Sequence, residues 1–180
     1  MDEQTVRVLL RLTARLSCAI FLFAFAGRAA ARLAIPRALH WLAAVRGDAF
    51  IVLAFSHTLH LLWIIAGLIV THGALVHLPW LTGIFGGLGF VCIYFLAAAH
   101  LPRTPERRMP RATESFAVYY VWTIFFLAMV ANSRHSAAHA ITAAVLVATL
   151  VANLIASRRQ RRGQVIPIAT RQVRGRSQAS

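Results

Sequence analysis

Residues 49–71 read AFIVLAFSHTLHLLWIIAGLIVT, an apolar run long enough to cross a bilayer that nevertheless carries two histidines near its middle. At about 1.5 Å of rise per residue, a helix of this length matches a hydrocarbon core of about 30 Å. His57 and His60 then lie roughly 12 and 16 Å from the start of the run. Ionisable side chains at that depth are costly unless they face protein, water or a ligand, which makes both of them functional candidates. At about 100° per residue, Leu53, His57, His60, Ile64, Gly67 and Thr71 share one side of the helix, while Ile51, Phe55, Leu59, Leu62, Ala66 and Ile69 cover the other. The first side is expected to face a helical bundle and the second to face lipid.

Four further apolar runs make this an all-α integral membrane bundle. Hydrophobic residues make up 59% of the chain and charged ones only 13%, outside the range of a soluble domain. The expected spans are 8–27, 49–71, 80–99, 114–132 and 137–157. Residues 28–48 (RAAARLAIPRALHWLAAVRGD) are interrupted by Arg32, Pro36 and Arg37, and read as a short amphipathic helix in the interface with Trp41 at head-group level. A crossing by 29–45 would give six spans, and the same two arginines make it the second choice.

The first run resembles a secretory signal in its basic flank, short apolar core and small residues at 29–31. It is expected to be retained as a span, with Arg11 and Arg15 facing protein or snorkelling. The tail, 158–180, is basic and expected to be disordered.

The net charge of +14 comes from arginine, since the chain has no lysine. The arginines flank the spans, so anionic lipid head groups account for them and nucleic acid does not. Residues 28–48, 100–113 and the tail hold fifteen of the nineteen, which places that side in the cytoplasm and the N-terminus outside. A bacterial-type inner membrane is the expected location. Cys18 and Cys92 sit alone inside apolar runs and read as small core residues.

In the third span, Gly83 and Gly87 form a small-xxx-small pair on a stripe with Phe90, Tyr94 and Ala97. Such glycines admit a neighbouring backbone or leave room for the edge of a flat macrocycle. The fifth span carries a polar stripe of His139, Thr142, Leu146, Thr149 and Asn153, expected to be a packing face. Of the eight histidines, His72, His77, His135 and His139 gather at the outer side and His40 and His100 at the inner side. Haem suits His57 and His60, because an axial ligand is a neutral imidazole and a porphyrin wants an apolar slot between helices. Hydrogen bonding to Tyr, Thr or Asn on neighbouring helices, or a proton relay, would occupy the same histidines without a cofactor. No hydrolase or phosphate-binding motif is present.

The runs FSHTLHLLWIIAG, VCIYFLAAAHLPR and ATESFAVYYVWTIFF resemble the transmembrane domain of bacterial ferric-reductase-like proteins, over residues 46–132. These are b-type haem membrane proteins that include the membrane subunit of the methionine sulfoxide reductase system. The resemblance implies a haem b ligand at His60 or His57, with Gly83, Gly87, Tyr94 and Trp122 around the cofactor. It also implies a second histidine at the start of the aromatic helix, where this chain has Thr113, Glu114 and Ser115. His100 and His139 are the replacements to consider, both near span ends, where depth favours neither. Glu114 is a replacement ligand, a charge paired with Arg111, or the relic of a changed site. The chain carries no flavin or nicotinamide domain, so electron transfer would require a separate redox partner.

Overall fold

The computed structural model describes residues 2–30, 40–71, 80–101 and 110–164. The helices are α1 (Glu3–Ala30), α2 (His40–Ala44), α3 (Arg46–Val70), α4 (Trp80–His100), α5 (Arg111–Asn132) and α6 (Ala137–Gln164), with a 3₁₀ turn at Ser133–His135. All except α2 are long and apolar enough to cross a membrane, so the chain is an all-α integral membrane bundle with five candidate spans. The expected histidines His72 and His77, most of the expected interfacial segment and residues 165–180 lie outside the described residues.

Short connections make each span pack against the next. α1 lies along α3, α3 along α4, α4 along α5 and α5 along α6, and α6 returns to α1 to close a ring. Its interior is filled by fully buried apolar side chains, among them Phe21, Phe25, Phe50, Leu53, Ile93, Leu96 and Val121. Phe21 sits between Phe25 and Phe125, at ring-centroid distances of 5.6 and 5.4 Å, and Phe25 meets Tyr119 edge-on. This aromatic column joins α1 to α5 across the ring. On α3 the expected two-sidedness is met: Leu53 and Gly67 are buried, whereas Phe55, Leu62 and Ile69 are exposed on the outer surface.

Polar side chains fasten the seam between α6 and its neighbours, where dispersion alone discriminates poorly between lipid and protein. Asn153, fully buried, donates from Nδ2 to the carbonyl of Phe25 at 3.1 Å, and Trp122 Nε1 donates to the carbonyl of Leu146 at 3.1 Å. The polar stripe predicted on the fifth span is therefore a packing face at Asn153 and Leu146.

Three boundaries differ from the sequence reading. α1 begins at Glu3, where Arg7 pairs with Glu3 one turn on, and it continues through Arg28. Arg28 was expected in the interface, yet it is only 7% exposed and donates from Nη2 to Ser115 Oγ at 2.6 Å. α3 starts three residues early because Arg46 has a partner inside the bundle: it is paired with Glu114 of α5. Glu114 is thus matched with Arg46, and the expected partner Arg111 is exposed.

Close backbone approach occurs at Gly27. A side chain there would run into the carbonyl oxygen of Leu42 and come within 3.4 Å of Arg46 Cβ. A Cβ added at Gly83 or Gly87, the glycines expected to admit a neighbouring backbone or a flat macrocycle, would meet nothing within 4 Å among the described residues. Gly27→Val should accordingly destabilise the bundle by about 2 kcal/mol through overpacking, read as a lower midpoint in detergent unfolding, while Gly87→Val should leave that midpoint within about 0.5 kcal/mol.

Candidate functional site

The α1–α3 seam places small polar residues opposite the α3 histidines. Thr13 and Ser17, one turn apart on the buried side of α1, meet His60 and Ser56 one turn apart on α3. Thr13 Oγ1 lies 2.9 Å from His60 Nδ1, and Ser17 Oγ lies 2.9 Å from Ser56 Oγ. Neither Thr13 nor Ser17 was singled out from sequence, although their i, i+4 spacing among apolar residues is the signal that would have found them.

The Thr13 hydroxyl has one proton and three neighbours, because Oγ1 is also 2.8 Å from the carbonyl of Leu9 and 3.2 Å from that of Leu10. When that proton points at Leu9, Oγ1 accepts from Nδ1–H of His60. Nε2 then carries a lone pair, and this is the tautomer of a metal-ligating histidine whose other nitrogen is held by an oxygen. His57 lies beside it, ring centroids 5.6 Å apart, with Phe90 at 4.2 Å and Phe125 at 5.9 Å. Its Nδ1 is buried and has no hydrogen-bond partner among the described residues.

The third imidazole is His139, whose Nδ1 is likewise buried without a partner among the described residues. The Asn153–Phe25 hydrogen bond sets α6 in register with α1. From it, His139 is about 21 Å back along α6, and Thr13 is about 18 Å back along α1. His139 therefore shares the level of Thr13 and His60 to within about one helical turn.

His100 belongs elsewhere. Its Nδ1 donates to the carbonyl of Leu96 at 2.8 Å, and its ring packs against Gly47 and Phe50 at the far end of α3. Gly47 is about 20 Å along the helix from His60. Two imidazoles on one metal ion must bring their nitrogens within about 4 Å of each other, since each bond is about 2 Å. By depth, the structure sets His100 apart from His60 and leaves His139 level with His60, on a helix that packs against α1 and α5.

The remaining predicted residues divide. Tyr94 stands 2.8 Å from Thr58 Oγ1, and since that hydroxyl donates to the carbonyl of Ala54, Tyr94 is the donor. Trp122 spends its only polar hydrogen on Leu146 and stacks on Phe126, which makes it a tie between α5 and α6. Gly83 and Gly87 face open space one to two turns before Phe90. At the opposite end of the bundle, Arg28, Arg46, Glu114, Ser115 and His100 form a second polar cluster, with Arg46 over the ring of Phe50 and Arg28 over that of Tyr119.

No three His, Cys, Asp or Glu side chains converge among the described residues. No family model, curated protein or solved structure matches the chain.

Proposed function

We propose that this chain is a b-type haem electron-transfer subunit of a bacterial-type inner membrane, with His60 as a ligand and His139 as the replacement for the histidine missing at Glu114. The observation that carries this reading is three part-buried imidazoles at one depth, two of them with a buried nitrogen that the described residues leave unpartnered. Buried polar atoms in native proteins are satisfied, so two imidazole nitrogens of this kind call for partners that the described residues do not supply. The donor set fits haem: neutral nitrogen ligands, with apolar and aromatic walls from Phe90 and Phe125.

When bound, the group supplies one-electron chemistry. The chain's residues hold and orient it. Thr13 fixes the His60 tautomer, and Phe90 and Phe125 limit the movement of His57. A separate redox protein gives or takes the electron. The arginine-rich end carrying Arg28 and Arg46 is the cytoplasmic one, and the N-terminus is outside.

The Thr13–His60 hydrogen bond also favours a second reading, in which the histidines are internal hydrogen-bonding residues of a cofactor-free membrane protein. An absorption spectrum of the protein purified from haem-replete cells decides between them. A Soret band is expected, and a colourless protein from such cells contradicts the proposal. Given the band, Thr13→Val should weaken haem affinity by about tenfold, as loss of the oxygen behind a ligating imidazole does, and Thr13→Ser should restore it; displacement by apomyoglobin measures both.

A further inference from the structure

Arg11 and Arg15 are exposed on the outer surface of α1, one turn apart, beside the exposed Leu12 and Leu16. Arg7, one turn further out, has Glu3. Arg15 has no such neighbour among the described residues, and its depth follows from its place along α1. It lies two residues from Thr13, which meets His60 within α3, and about 20 Å along α1 from Arg28 in the inner polar cluster. With Arg28 taken as the inner edge of a hydrocarbon core of about 30 Å, the Arg15 backbone falls about 10 Å beneath the outer boundary. Its side chain leans towards the N-terminus, which shortens that distance without removing it. A guanidinium left against acyl chains at this depth is disfavoured, and such residues normally face protein or water.

From this we infer that the Arg11–Arg15 face of α1 docks a transmembrane helix of another protein that carries a carboxylate at the same depth. A second copy of the chain does not serve, because a two-fold contact through this face sets arginines against arginines. The acidic residues described also stand elsewhere: Asp2 and Glu3 at the start of α1, Asp48 and Glu114 at the inner end. Charge complementarity therefore points to an acidic partner helix, for which a membrane-embedded arginine is a strong and selective counterpart. The inference is independent of whether haem is bound.

The probe is a synthetic leucine–alanine transmembrane peptide with one aspartate about 10 Å below its outer end, compared with the same peptide carrying leucine there. Association with the full chain is followed by energy transfer in phosphatidylcholine vesicles. The aspartate peptide should bind about tenfold more tightly than the leucine peptide. Arg15→Leu should erase that difference and Arg15→Lys should retain it. Since Arg15 is exposed, circular dichroism should confirm that both variants keep the wild-type helix content. Equal binding of the two peptides overturns the inference. So does loss of the preference when phosphatidylglycerol is added, which would make lipid phosphate the occupant.

Discussion

Glu114→Leu should lower the unfolding free energy of the bundle by about 2 kcal/mol, and adding Arg46→Leu to the same chain should return most of that loss. Glu114 on α5 and Arg46 at the start of α3 form a direct ion pair between helices that are not neighbours in the ring. Their side chains are 24% and 20% exposed, so the pair is partly desolvated, and the expected cost is set below the 3–5 kcal/mol of a fully buried pair broken on one side. The asymmetry is the point of the experiment. Removing the carboxylate strands a guanidinium over the Phe50 ring, next to Arg28, with its compensating charge gone. Removing both partners takes the uncompensated guanidinium away together with the carboxylate. Detergent or urea unfolding of the two single variants and the double variant gives the coupling directly, and equal destabilisation in single and double variants would show that the ion pair is not what holds α3 against α5.

On the proposed assignment His60→Ala should cost the largest functional effect, a loss of haem affinity of at least about hundredfold, since it removes the proposed ligand where removal of a supporting residue alone costs about tenfold to hundredfold. The same change leaves Thr13 hydrogen-bonded to Leu9, so the α1–α3 seam should survive with only a small fall in stability. If His139 is the second ligand, His139→Ala should leave haem bound through His60 and shift its spectrum from low-spin to high-spin. His100→Ala should change neither, because His100 is about 20 Å along α3 from the site. A spectrum altered by His100→Ala and untouched by His139→Ala would reverse the ligand assignment.

Which of these features were legible in the sequence follows from how local they are. The two faces of α3 follow from periodicity within one helix, and the structure shows them as expected, from buried Leu53 to exposed Ile69. Span number follows from length and hydropathy. The partners of His60 and Arg46 do not, because Thr13 is 47 residues from His60 and Glu114 is 68 from Arg46, and no periodicity carries information over such separations. Glu114 illustrates the difficulty: its nearest arginine in sequence is Arg111, three residues away, yet the fold brings it a different one. Glycine spacing misled for a related reason. Gly83 and Gly87 have the motif of a helix contact, but a contact also needs a second helix, and the close approach falls instead at Gly27, where α2 turns back over α1. By sequence His139 and His100 are equal candidates, as residues near span ends; the register of α6 against α1, set by Asn153, brings His139 to the level of His60.

The most direct test of the account is a haem titration of the purified apoprotein in detergent, followed at the Soret band. Saturation at one haem per chain is expected for the wild type, with binding abolished in His60→Ala and a changed spin state in His139→Ala. A titration in which wild type and His60→Ala respond identically, or in which neither binds, contradicts the assignment of this imidazole layer to a cofactor.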